Sequence, residues 1–204
     1  MRGLVTPILR IAAEGWVFLL GLSLAALWAV LGEHWLLLLA SLVLLVLAGL
    51  FFHDTPRNTP AKPLGILSPC DGVVSFRREC HDPYLAREAI RIGISVPLFS
   101  NYLLRAPVEG EVTALEDAPR GVSCIRTDEG ESILIAVSRG SLFGARPVWA
   151  DFGDRVGQGR ISGARRLARV IDVYLPIDCR VEVRLGQTLR CGETVLATLL
   201  RRSA

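Results

Sequence analysis

Cys70 and Asp71 place a thiol beside a carboxylate, and such a pair could provide a nucleophile. Free cysteines are among the most buried residue types, so the alternative of a structural Cys70 is favoured. A second possible nucleophile is Ser162, which precedes Gly163. Neither has an evident base, because the histidines after residue 52 are His53 and His81, and His81 lies in a predicted turn.

Three arginines, Arg165, Arg166 and Arg169, form a basic cluster in one short segment. A guanidinium group binds phosphate oxygens in pairs, so this segment could hold the phosphate of a phospholipid. The alternative is a solvated basic loop without a ligand. The pattern therefore indicates an anion site as a hypothesis.

The cysteines and the net charge exclude several classes of function. The five cysteines are scattered and include no C-x-x-C pair, which argues against a disulfide framework and a zinc site and is typical of a reducing compartment. The net charge is +3 and lies entirely after residue 52. This mild excess suits anionic lipid head groups, whereas a nucleic-acid partner would require a basic stripe with interleaved aromatics.

Two apolar runs precede residue 53, at residues 16–31 and 35–52. Helices of these lengths extend about 24 and 27 Å, close to the ~30 Å hydrocarbon core of a bilayer. Gly32, Glu33 and His34 separate them, which predicts a tight turn. Residues 1–52 are therefore predicted to be a membrane anchor, a hairpin of two transmembrane helices that satisfies its backbone groups internally.

The basic residues around the hairpin predict its orientation. Arg2 and Arg10 precede it, Arg57 and Lys62 follow it, and the turn has neither lysine nor arginine. The positive-inside rule then places both ends in the cytoplasm. The alternatives are a cleaved signal peptide and two buried core helices, but a second run follows the first at once and neither run has a polar face.

The rest of the chain predicts a mainly β domain. Residues 53–67 are rich in proline and polar residues and predict a juxtamembrane linker. Residues 68–204 contain short β-branched runs separated by Gly, Pro and Asp, a pattern that favours an all-β sandwich or barrel. The runs are residues 72–76, 90–96, 110–115, 133–137, 170–175, 181–185 and 194–199.

Two similar phrases refine the fold prediction. Residues 152–159 and 185–193 each carry a turn glycine, a polar residue and a second turn glycine. Paired turns of this kind occur in barrel-sandwich folds of the biotinyl type, and two ordinary hairpin turns are the alternative.

Six phrases between residues 51 and 197, in order and nearly without gaps, resemble the short bacterial and archaeal form of phosphatidylserine decarboxylase. They are F-F-H-D-T-P-R (51–57), S-P-C-D-G-V-V (68–74), L-R-A-P-V-E-G-E-V (104–112), D-R-V-G-Q-G (154–159), D-V-Y-L-P (172–176) and G-E-T-V-L-A (192–197). The chain is identified on these phrases as a member of that family.

The resemblance implies a specific chemistry. In that family a precursor cleaves itself before a serine in a Gly-Ser pair, and the serine becomes a pyruvoyl group that serves as electron sink for decarboxylation. An Asp–His pair activates the serine, on the logic of a nucleophile, a base and an orienting carboxylate.

Of the Asp, His and Ser that the family uses, this sequence retains one, the Asp. Asp71 matches the family's Asp, Tyr102 stands at the position of the His, and Ala168 and Arg169 stand where Gly and Ser belong. Arginine has no hydroxyl that could form a pyruvoyl group, and a tyrosine phenol, which titrates near pH 10 in water, is a poor base at neutral pH. No cofactor is expected unless the chain is self-cleaved, and no metal is expected.

The resulting functional hypothesis is a non-catalytic relative, connected with phosphatidylethanolamine biosynthesis, in a bacterial-type inner membrane. It would bind phospholipid, with Arg105, Arg165, Arg166 and Arg169 as candidate contacts, or partner an active decarboxylase or a second copy of itself. Two alternatives are an active pyruvoyl-dependent decarboxylase with an atypical site and a membrane-tethered β adaptor unrelated to lipid.

Overall fold

The computed structural model describes residues 10–11, 13–98, 100–115, 121–139, 148–165 and 168–200. The chain divides into two compact units, Met1–Pro56 and Arg57–Ala204. The helices are α1 (Ala13–Leu31) and α2 (Trp35–Phe52). The strands are β1 (Arg10–Ile11), β2 (His53–Asp54), β3 (Gly65–Leu67), β4 (Gly72–Asp82), β5 (Arg87–Ser95), β6 (Leu103–Arg105), β7 (Gly110–Thr113), β8 (Val122–Arg126), β9 (Ser132–Arg139), β10 (Val148–Trp149), β11 (Arg155–Val156), β12 (Ile161–Ala164), β13 (Val170–Pro176), β14 (Arg180–Val181), β15 (Thr188–Leu189) and β16 (Val195–Thr198).

The first unit is a helical hairpin, as the apolar runs predict. The turn between the helices is closed by backbone bonds, including one from the His34 N–H to the Ala29 carbonyl (2.9 Å). Glu33 adopts a left-handed conformation with a φ of 53°. The hydroxyls of Ser23 and Ser41 each donate to a carbonyl four residues earlier, which satisfies these groups within an apolar helix.

The two helices differ in how well they meet the requirements of a membrane span. α2 is long and apolar enough to cross a bilayer, with a mean hydropathy of 2.8. The apolar part of α1, Gly15–Leu31, is shorter. Leu36 of α2 is 85% exposed, which argues against the alternative of buried core helices. This unit fits membrane association.

The second unit is built on an eight-stranded sheet in which every neighbouring pair is antiparallel. Its strand order is β11-β7-β8-β9-β13-β5-β4-β15, and two three-stranded sheets, β10-β12-β6 and β14-β16-β3, complete the unit. The prediction of a mainly β fold after two N-terminal helices is confirmed.

The main core lies on one face of the large sheet and is rich in β-branched residues. Ile92, Ile133, Ile135 and Ile171 are fully buried there. A smaller cluster on the opposite face includes Leu134 and other apolar residues of the same central strands. Because both faces are covered at the centre, β9 has a continuous apolar run at residues 133–137, and β13 is buried on both faces, with the buried Asp172 paired with Arg91.

The turn glycines of the two similar phrases have matching conformations. Gly153 and Gly159 have φ values of 85° and 71°, and Gly186 and Gly192 have values of 76° and 69°. Each phrase therefore has two left-handed turns six residues apart, a conformation that glycine adopts without steric cost.

The predicted linker is shorter than its composition indicates. Its last residues form β3, which pairs with β16, and Ile66 and Leu67 are fully buried. The preceding residues also contact the domain, since Lys62 Nζ lies 2.6 Å from a carboxylate oxygen of Glu182. The apolar G-I-L segment explains the difference, because a strand that buries both faces belongs to the domain.

Candidate functional site

Asp71 lies in the turn between β3 and β4. The Ser68 hydroxyl donates to the Cys70 carbonyl (2.7 Å) and shapes this turn. One carboxylate oxygen of Asp71 accepts the backbone N–H of Cys191 (2.7 Å), and the other accepts Nη2 of Arg57 (2.7 Å). The carboxylate is thus fixed and paired with a cation, in surroundings that leave its side chain 19% exposed.

Tyr102 lies directly before β6 and is 4% exposed. Its carbonyl accepts the backbone N–H of Arg165 (3.0 Å). This bond extends the pairing of β6 with β12, in which Leu103 lies opposite Ala164. The residue at the expected histidine position is therefore a buried side chain within a paired segment.

Ala168 and Arg169 lead directly into β13. Ala168 is fully buried, whereas Arg169 is exposed. The Arg169 carbonyl accepts the Val96 N–H (2.8 Å), and Arg169 Nε donates to the Val96 carbonyl (3.1 Å). The backbone of residue 169 thus extends the pairing of β13 with β5 by one residue, and its side chain binds the same partner residue, Val96.

Arg165, one of the predicted anion contacts, is fully buried. Its guanidinium donates to four backbone carbonyls, which are those of Asn101 (Nε, 2.8 Å), Ala168 (Nη1, 3.2 Å), Leu98 (Nη2, 2.7 Å) and Ser100 (Nη2, 2.9 Å). Burial lowers the pKa of this guanidinium. With its donors used inside the protein, Arg165 joins the segment before Tyr102 to the segment before β13.

Arg105 is also turned inward, with 7% of its surface exposed. Its Nη1 donates to the Gly159 carbonyl (3.0 Å). A Cβ atom on Gly192 would lie 2.7 Å from Arg105 Cδ, so this glycine makes room for the side chain. Arg166 lies outside the described residues. Among the predicted lipid contacts that the structure describes, Arg169 is the exposed one.

The structure brings the mapped positions together. The Arg165 guanidinium lies close enough to Cys70, Asp71, Tyr102 and Arg169 for each to influence its pKa. The Cys191 thiol, adjacent to the Asp71 contact, donates to the Pro69 carbonyl (3.1 Å). Positions that lie far apart in the sequence therefore surround one guanidinium group.

The two alternative nucleophiles are not activated in this structure. Cys70 is 1% exposed, and burial raises the pKa of its thiol well above the usual value. Ser162 is 6% exposed within β12, and its hydroxyl has no hydrogen-bond partner among the described residues. A serine nucleophile requires a base within hydrogen-bond distance, so Ser162 does not meet this condition here.

Sequence reasoning did not identify Arg57 and Cys191 as partners of Asp71. Arg57 belongs to the phrase at residues 51–57, and its side chain is 12% exposed beside the carboxylate. The resemblance of that phrase to the family could therefore have pointed to Arg57 as a site residue. Cys191 contributes a backbone N–H, which nearly any residue could supply, so its role has no signature in the sequence.

The residues at the site do not fit a pyruvoyl group. That group forms from a serine, and the position that maps onto it holds Arg169, whose side chain bonds to the Val96 carbonyl. Within the described part of the chain, His, Cys, Asp and Glu side chains form no group of three or more that could hold a metal ion.

A scan of the chain against models of known protein families gives no match. Individual relatives do match over nearly their whole length. Phosphatidylserine decarboxylase proenzymes from Cupriavidus pinatubonensis and Symbiobacterium thermophilum are each 34% identical over 208 residues, which is 93% of this chain and 95% of the relative. The proenzyme from Nitrosomonas europaea is 30% identical over 204 residues, or 92% of this chain and 94% of that relative.

These matches extend from the helical hairpin through the β domain, and they agree with the six phrases found in the sequence. The family link to phospholipid biosynthesis follows from the same relatives. The chain belongs to the phosphatidylserine decarboxylase family.

Proposed function

We propose that this chain is a membrane-anchored, non-catalytic member of its family that remains uncleaved and binds phospholipid. The proposal rests on the mapping of the sequence phrases, which places Arg169 at the position of the self-cleaving serine. Its side chain bonds to Val96, and its peptide continues regularly into β13. A chain without a hydroxyl at this point has no nucleophile for cleavage there.

The surroundings of Asp71 support the same conclusion. In the Asp–His–Ser logic, the carboxylate orients a base. Here Arg57 and the Cys191 N–H occupy its two oxygens, and the expected base is a buried tyrosine. The carboxylate is therefore a structural anchor for the segment at Arg57.

Arg169 is the group we propose for phospholipid binding. It is exposed, and the one described hydrogen bond of its guanidinium runs from Nε to the Val96 carbonyl. A guanidinium held by one bond is preorganised for a phosphate, which it binds through two parallel N–H donors. The relatives are named for phosphatidylserine, and we infer a ligand of the same chemical class, a phospholipid with an anionic head group.

We also infer an inner-membrane location with the β domain in the cytoplasm. The basic residues Arg2, Arg10, Arg57 and Lys62 on both sides of the hairpin support this orientation. The five cysteines are all unpaired, as is usual in a reducing compartment.

The proposal is tested by incubating the purified full chain with phosphatidylserine and measuring phosphatidylethanolamine. We expect no conversion above a heat-denatured control. Conversion would favour the alternative of an active enzyme with an atypical site. The binding part is tested by comparing lipid retention by the wild type and Arg169→Gln, and retention that does not change in this variant would contradict the role of Arg169.

A further inference from the structure

The long strand β4 has an unpaired edge. β4 has eleven residues and β15 has two, and β15 pairs with β4 at Gly72 and Val73 alone. Two further backbone bonds join Val74 to Gly186 and Gln187. From Ser75 onward, no strand in the described part of the chain covers this edge.

A cleft of about 520 Å³ lies along that edge. We call it the arginine cleft, and its lining is Arg77, Arg78, Glu79, Ile90, Val183, Arg184 and Leu185. Three of these residues are cationic and one is anionic. The Arg78 guanidinium lies over Phe76, so Arg77, Arg184 and Glu79 leave one excess positive charge within the cleft. No described carboxylate lies within 4 Å of the guanidinium groups of Arg77, Arg78 and Arg184.

The arginines of the cleft have different positions because β4 is pleated. Arg78 points to the other face of the strand, where its guanidinium lies 5.2 Å from the centre of the Phe76 ring. Arg77 has the opposite orientation and shares the cleft with Arg184. Arg77 and Arg184 are therefore the pair available to a ligand in the cleft.

A turn at residues 184–187 holds the apolar side chain of Leu185 at the rim of the arginine cleft. The Arg184 N–H donates to the Gln187 side chain (3.0 Å), and the Gly186 N–H donates to the Val74 carbonyl (2.9 Å). Leu185 between them is 67% exposed, although Val183 and Ile90 below it are buried. A fixed turn that presents a leucine to solvent beside an arginine matches a ligand with an anionic and an apolar part.

We propose that the arginine cleft binds the phosphate of an anionic phospholipid through Arg77 and Arg184, with Leu185 against the apolar part of the lipid. This inference rests on the proposed phospholipid-binding function but assigns a second site, separate from Arg169. Arginines on an open edge also prevent pairing between edges, and that role alone would not require an exposed leucine.

The test uses the full chain in a non-ionic detergent and native mass spectrometry with substoichiometric phosphatidylglycerol or phosphatidylcholine. We expect Arg77→Gln/Arg184→Gln to lower the fraction that retains phosphatidylglycerol about tenfold, since each charge-assisted bond is lost, and to leave phosphatidylcholine unchanged. The charge-matched control is Arg126→Gln/Arg155→Gln on β8 and β11, toward the other end of the sheet. The inference would be overturned if phosphatidylglycerol retention fell equally in both double variants, or if it did not fall in Arg77→Gln/Arg184→Gln.

Two further variants separate the sources of the phosphate and the two sites. Leu185→Ser is expected to weaken phosphatidylglycerol retention and to leave the binding of inorganic phosphate unchanged. The lipid assignment would be overturned if the wild type bound inorganic phosphate as well as it binds phosphatidylglycerol and if Leu185→Ser changed neither. Loss of retention in Arg169→Gln but not in Arg77→Gln/Arg184→Gln would leave the proposed function standing and overturn this inference. Unchanged retention in both would overturn both.

Discussion

At the scale of single residues, Arg165 shows how a charged side chain can become part of a core. Its guanidinium is fully buried and donates to four carbonyls in two segments. Each of these carbonyls would lose this donor if Arg165 were replaced. Arg165 therefore stabilises the site by satisfying buried acceptors.

Replacing Arg165 by methionine is expected to lower the free energy of unfolding by about 2–4 kcal/mol, since several buried acceptors lose their donor. For a chain of this length, the thermal midpoint should fall by about 5–10 °C. Thermal unfolding of the full chain in detergent measures this shift. Arg169→Met is the matched control, because Arg169 is exposed and should change the midpoint by no more than ~2 °C. Equal shifts in the two variants would contradict the structural role of Arg165.

The cysteines differ in burial, and we expect the more exposed thiols to react faster with a thiol reagent. Cys70, Cys124, Cys179 and Cys191 are buried, and Cys80 is half-buried. Burial raises the pKa of Cys70 and Cys124 and raises that of Cys179 to about 11, which keeps these thiols protonated.

Burial also raises the pKa of Cys80, so the difference rests on access to the sulfur. With a maleimide reagent at pH 8, we expect Cys80 to be labelled at least about tenfold faster than the buried cysteines. Peptide mass mapping of the partly labelled native chain measures the order. Cys80→Ser should remove the fast phase. Fast labelling of Cys70 would contradict its assignment as a buried structural residue and would favour the nucleophile alternative.

At the scale of elements, the turn glycines position the site. Gly192 follows the N–H that binds Asp71, and its own N–H donates to the Ser68 carbonyl (2.8 Å). Gly186 begins the same phrase and has a similar left-handed φ. The two differ in their surroundings, because a Cβ on Gly186 would meet nothing within 4 Å.

This difference provides a matched pair of variants. Gly186→Ala should cost about 1–2 kcal/mol through its left-handed φ alone. Gly192→Ala should cost about 1–3 kcal/mol more, because its Cβ would also overlap the buried side chain of Arg105. Chemical unfolding of the two variants in the same detergent measures the gap. Equal losses would show that the contact between Gly192 and Arg105 does not constrain the turn.

The sequence predicts the elements better than it predicts their contacts. β4 and β13 follow from runs of β-branched residues. The mapping of Asp71, Tyr102 and Arg169 to one site follows from the family resemblance and stays a prediction. The burial of Arg165 could not be predicted, because arginine is seldom buried and its carbonyl acceptors come from distant parts of the chain. The pairing of Arg57 with Asp71 likewise depends on how the segment after the hairpin lies on the domain.

At the scale of the whole molecule, the chain matches a family member over 93% of its length. The mapping of the sequence phrases implies that it differs from the family at Tyr102, Ala168 and Arg169. If the scaffold is otherwise competent, Tyr102→His/Ala168→Gly/Arg169→Ser should restore cleavage between residues 168 and 169. The control is Tyr102→His/Ala168→Gly, which retains Arg169 and should stay intact. Electrophoresis and intact mass detect two fragments, and an uncleaved triple variant would show that the Arg57–Asp71 pair or other changes also prevent the reaction.

The intact mass of the purified, detergent-solubilised protein shows whether the natural chain is processed. We expect one species at the full chain mass of 22.2 kDa. Two fragments, with a blocked N-terminus on the smaller one, would contradict this expectation and would mean that a serine other than the mapped position forms a pyruvoyl group.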